Sequence, residues 1–159
     1  MKRWHETGRG ELIAMDTWRR HFPITSFVLQ ALLTKALAPD SELTREERIL
    51  YTACEFWAAV AARELMPLLG STPGRQLLLF AAAFDEIGAV RTASAIRNSI
   101  VEFNGVQLES QLRRVNLALE ARLLSSDESV DAEIARFAID RVATTLTLGE
   151  PIGTVRHPQ

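Results

Sequence analysis

The side chains in this sequence that could do acid–base or ionic chemistry are mostly carboxylates. Glu42, Glu46 and Glu47, then Asp85 and Glu86, then Glu102, Glu109, Asp127, Glu128, Asp131 and Glu133 recur along the chain, often where a helix should begin. Residues three or four apart on a helix lie about 5–6 Å from each other, so carboxylates so spaced roughly match successive phosphates along one nucleic-acid strand. Glu102, Glu109, Asp127, Glu128, Asp131 and Glu133 are therefore candidate contacts for a basic protein partner. For Glu102, Glu109, Asp127 and Asp131 the expectation is one exposed surface with little arginine cover. The competing reading is structural: acidic groups near helix starts complement the helix dipole and solvate a face. Arginines at 45, 48, 91, 97, 113, 114, 122 and 136 are mixed into the same segments.

Other chemistries have less material. A Ser or Cys nucleophile needs a base within hydrogen-bond reach, and that base is most often histidine. Of the three histidines, His5 and His157 lie near the two ends and His21 adjoins Phe22-Pro23 at a helix exit. An enzyme would have to build its site from dispersed residues such as His21, Cys54, Glu55 and Glu64. No nucleophile elbow, Gly-rich phosphate loop or His-Glu-x-x-His helix occurs, and the Glu-x-x-His pairs of four-helix di-iron sites are missing. No catalytic residue, cofactor or metal-ligand set is assigned. Cys54, the single cysteine, removes intramolecular disulfides and sits in ILYTACEFWAAV, where a buried small hydrophobe is expected.

Composition narrows the class. A chain of 159 residues, 47% hydrophobic and 24% charged, is too apolar for a disordered chain and too polar for a membrane one. Its longest uncharged run, residues 21–34, contains Pro23 and falls short of the roughly 20 residues of a membrane span. The opening MKRWHETGRGE is basic but continues with Glu6, Arg9 and Glu11 where a signal peptide would be apolar, so a cytoplasmic location is expected. The net charge of −2, with no basic stripe, argues against direct nucleic-acid binding.

The elements that must position these groups read as helices. Thr44-Arg-Glu-Glu47 has the form of a capping box and predicts a central helix from Arg45 to Met66, ended near Pro67. Ser71 or Thr72 can cap the next helix, with Pro73 in its first turn and Gly88 at its stop. A partner helix runs from Val90 to Phe103, before an Asn104-Gly105 pair suited to a left-handed cap. Further helices are expected over Val106–Leu124, from Ser129 through Val142, from Thr25 or Ser26 to Leu37, and over Leu12–Arg20. Leu108, Leu112, Val115, Leu119 and Leu123 are the core positions of the first of these. The sum is an all-α bundle of about six or seven helices with antiparallel hairpins, one domain over 1–148 and an extended tail over 149–159. Asp85 and Glu86 stand at a helix C-terminus, which disfavours acid. The spacing explains them as a turn device, facing the free amides of the Val90 helix, with Arg91 as a second partner.

From Leu68 to Thr145 the sequence resembles the bacterial DNA-mimic-protein family of small helical proteins. The resemblance rests on GSTPG opening a helix, on LLLFAAAFDEIGAVRTASAIRNSIVEFNG with its acidic-Ile-Gly-Ala turn, and on LLSSDESVDAEIARFAIDRV as acidic linker and terminal helix. It implies an all-helical, dimeric, non-enzymatic protein that binds other proteins. At least one member of that family presents carboxylates in place of DNA phosphates to a DNA-binding protein, so the resemblance implies a partner of that kind; the acidic helix starts themselves suit a basic partner, a DNA-binding protein or a toxin to be neutralised. A structural oligomer subunit, with Trp4, Trp18 and Phe22 forming an apolar patch, is the remaining alternative.

Overall fold

The helix that organises the molecule starts at the predicted capping box. In the computed structural model, which describes residues 26–147, α2 spans Arg45–Ala61. Thr44 Oγ1 accepts from the Glu47 amide at 3.2 Å, and Glu47 Oε2 accepts from the Thr44 amide at 2.9 Å. Before it lies α1 (Ser26–Leu37). After it come α3 (Leu65–Leu69), α4 (Pro73–Ile87), α5 (Val90–Asn104), α6 (Glu109–Leu124) and α7 (Val130–Phe137). A π-helical turn, Ala138–Val142, then leads into α8 (Ala143–Thr147). Among the described residues every regular element is helical, and the fold is all-α. The expected helix over Leu12–Arg20, the Trp4/Trp18/Phe22 patch, His5, His21, His157 and the tail lie outside the described residues.

The central role predicted for α2 holds: it packs against α1, α3, α4, α6, α7 and the π turn. Phe56 is fully buried and meets Phe80 at 4.8 Å between ring centroids and Phe84 at 5.5 Å, the latter edge to face. Ala53, Ala58 and Ala59 are buried and leave room for neighbouring helices. Glu47 does more than cap. Its side chain is wholly buried, accepting from Lys35 Nζ at 2.8 and 3.0 Å and from Thr145 Oγ1 at 3.0 Å, which ties α1, α2 and α8 together. Burial pushes its carboxyl up, but Lys35, the Thr44 amide and Thr145 outweigh that and hold it below the ordinary glutamate value.

Several boundaries differ from the sequence expectation, each for a local reason. α2 stops at Ala61 instead of Met66 because Arg63 turns left-handed (φ 60) and the chain restarts as α3. Pro67 falls in the first turn of α3, where its missing amide costs nothing, so it accompanies a start and not an end. α4 stops at Gly88 as expected, at φ 90, with the Ala89 amide bonding back to the Phe84 carbonyl at 2.9 Å. A Cβ on Gly88 would sit 2.8 Å from Arg136 Nη2, the tip of a long side chain that can swing aside, so the positive φ is what calls for glycine. Gly105, by contrast, is right-handed (φ −81), so no left-handed cap follows Asn104. Thr72 and Ser129 occupy N-cap positions without a side-chain cap bond, their ψ of 65 and 77 falling short of the extended region that aims the hydroxyl at the helix amides. α6 begins at Glu109, and Leu108 is 60% exposed instead of core.

Candidate interaction surfaces

The six candidate carboxylates are largely occupied by the molecule itself. Asp127 bonds Arg91 at 2.5 Å, Glu102 lies 3.7 Å from Arg122, Glu109 lies 3.9 Å from Arg113, and Glu133 pairs with Arg136. The hydrogen bond from Arg91 and its charge hold the Asp127 carboxyl below the usual range. Asp131 accepts from the Trp57 indole at 2.7 Å. The expectation of little arginine cover therefore fails at three of its four residues. Glu102 and Asp127 also sit towards opposite ends of α5: Arg91, which holds Asp127, and Glu102 are eleven positions apart, about 16 Å at 1.5 Å per residue.

Glu128 has the most specific task. The N-cap of α5 is Ala89, whose side chain has no oxygen to offer the first amides of the helix. Glu128 supplies them from the α6–α7 loop, accepting from the Arg91 amide at 3.0 Å, the Thr92 amide at 2.7 Å and Thr92 Oγ1 at 2.5 Å. This corrects the reading of the α4–α5 turn. Asp85 and Glu86 do not face those amides. Asp85 pairs with Arg97 along the hairpin, and Glu86 reaches Arg45 on α2 at 2.6 Å. Both are turn-side ion pairs, and Arg91 belongs to Asp127.

Sequence reasoning missed two features. The first is Glu120, fully buried on α6, whose Oε1 accepts from the first amide of α3 (Leu65, 3.2 Å) while Oε2 has no hydrogen-bond partner among the described residues. Its i−4 neighbour Asn116 is also buried, with Oδ1 unpartnered among the described residues. The second is a groove of about 380 Å³ between α2 and α4. Ile49, Phe80 and Ala83 form its apolar floor, Leu79 its upper edge, and Arg45, Arg48 and Glu86 part of its rim. Leu79 is 56% exposed and Leu78 57%. A signal was available: in LLLF, residues 77–80, four consecutive apolar side chains cannot all face one side of a helix.

The dispersed enzymatic set does not converge among its described members. Cys54 is buried in the core, and burial, then the charge of Asp131, raise its thiol well above the usual value, the state of an inert cysteine. Glu55 lines the groove, whereas Glu64 is exposed at the N-cap of α3. Among the described residues no group of three or more His, Cys, Asp or Glu is placed to hold a metal ion, and no helix is long and apolar enough to cross a membrane. No protein-family model matches the chain, and no curated protein or solved structure matches it.

Proposed function

We propose that this chain is a non-enzymatic protein-binding module whose contact surface is the groove between α2 and α4. One observation carries the reading: an apolar hollow floored by Ile49, Phe80 and Ala83 is continued at its edge by Leu79, more than half exposed. An isolated exposed leucine is ordinary, but a leucine bordering an apolar concavity enlarges one contact area and marks a place for a partner. The resemblance to the DNA-mimic-protein family supports the same class and adds a DNA-binding protein as the kind of partner, with a toxin as the other basic partner. The phosphate-mimic form of that idea has less support. A carboxylate already matched by a guanidinium has little attraction left for a basic visitor, and Asp127, Glu102, Glu109 and Glu133 are so matched.

The test is quantitative capture from host extract on the immobilised full chain, compared with Leu79→Asp. The expected result is a protein retained by the wild type, lost on the variant, and still held in about 1 M salt, where charges are screened beyond about 3 Å. Retention that ignores Leu79 but disappears with salt and with Asp127→Asn would return the contact to the acidic residues.

A further inference from the structure

Resting on that protein-binding reading, we infer that the groove accepts an amphipathic helix with a carboxylate facing Arg48. The walls set the length. On α2 the lining residues include Arg45, Arg48, Ile49, Thr52 and Glu55, flanked by Tyr51; on α4 they include Gln76, Leu79, Phe80, Ala83 and Glu86, flanked by Ala82. Both sets follow the same i, i+3, i+4, i+7, i+10 pattern, so each wall is one helical face about 15 Å long. The Arg45–Glu86 bond at 2.6 Å joins the first turn of α2 to the last turn of α4, closing one end and setting the walls antiparallel. A channel three turns long between two helices matches a third helix, whose anchors at i, i+3 or i+4 and i+7 enter the hollow beside Ala82 and Ala83.

Charge then selects among apolar helices. Arg45 is engaged by Glu86. Arg48, one turn on, lines both this groove and the smaller hollow beside Ser41, Glu42 and Leu43, and among the described residues makes no ion pair or side-chain hydrogen bond. An unengaged guanidinium at the edge of an apolar floor offers a planar two-donor fork to a carboxylate. The occupant therefore carries Asp or Glu next to its anchor at the Arg45–Glu86 end.

The probe is a displayed library of helical peptides of about 16 residues, long enough for marginal helicity, with apolar anchors fixed at i, i+3, i+4 and i+7. It is selected on the full-length protein, and enriched peptides are measured by fluorescence anisotropy against wild type, Ala82→Trp and Arg48→Glu. Enriched sequences should carry an acidic residue at one end. Ala82→Trp, at an exposed position that fills the groove, should weaken them at least about tenfold, as loss of a central anchor pocket does. Arg48→Glu should weaken them about fivefold, and exchanging the peptide acid for Lys should restore binding to that variant, as charge complementarity requires. Peptides that bind Ala82→Trp as well as wild type overturn the groove assignment, and enrichment of basic peptides overturns the role of Arg48. Failure to enrich any peptide overturns the helical occupant, while the Leu79→Asp capture decides the broader reading separately.

Discussion

The carboxylates of α5, α6, α7 and the α6–α7 loop and the polar groups of the α2–α4 groove are spent in opposite ways. Each candidate carboxylate has an internal employer: Glu128 serves the α5 amides, Asp131 the Trp57 indole, and Asp127, Glu102, Glu109 and Glu133 an arginine. At the groove Arg48 has none among the described residues, and Leu79 keeps an apolar side chain in water. Buried groups employed internally reveal themselves through stability, exposed ion pairs hardly at all, and groups left over reveal themselves through binding. A surface that looks functional in sequence can therefore be structural, and the useful surface can be the one with unmet demand.

That contrast makes graded predictions. The limiting case of internal employment is Glu47, where Glu47→Ala removes the capping box and the Lys35 bond and should cost about 3 kcal/mol in urea unfolding. Its pH signature has a definite sign. Because the folded carboxyl is held below its ordinary value, its stabilisation is fully present above the unfolded value of about 4.3 and fades as the pH falls through the lower folded value. Glu47→Gln should flatten that acid limb. Next, Glu128→Ala should cost about 1–2 kcal/mol by leaving the α5 amides without their acceptor. Gly88→Ala should cost a similar amount, roughly 1–2 kcal/mol, for a side chain held at φ 90.

Smaller effects sharpen the comparison. Glu120→Gln should keep the Leu65 cap while giving Asn116 Oδ1 a donor at i−4 spacing, raising stability by about 1 kcal/mol in the same assay. Asp127→Asn, Arg48→Glu and Leu79→Asp should each stay within about 0.5 kcal/mol of wild type. The last two should nevertheless abolish or redirect binding. A large stability loss at Leu79 or Arg48 would erase the distinction between the two regions.

Much of the fold was legible because its signals are local. The capping box at Thr44 and Glu47, the glycine stop at 88, the helical periods of α4 and α5 and the buried Cys54 all depend on residues within one or two turns. What misled was long-range employment. Nothing near Glu128 says that Ala89, far back in the chain, lacks a capping oxygen, and nothing near Leu65 says that Glu120 will accept its amide. The same holds for Asp85 and Glu86, whose partners Arg97 and Arg45 lie 12 and 41 residues away. The sequence shows arginines mixed into the acidic segments, but their pairing with particular carboxylates depends on helix packing. The groove was half visible, in the surplus leucine of LLLF, but its opposite wall is set by where α2 lies.

The most direct measurement is an amide hydrogen-exchange and methyl-shift footprint of the full chain, free and bound to a selected acidic helical peptide. Protection and shifts should appear on both groove walls, at Ile49, Thr52, Leu79 and Ala83, with Glu102, Glu109 and Asp127 unchanged. A footprint centred on α5 and the α6–α7 loop, with the groove silent, would contradict the account.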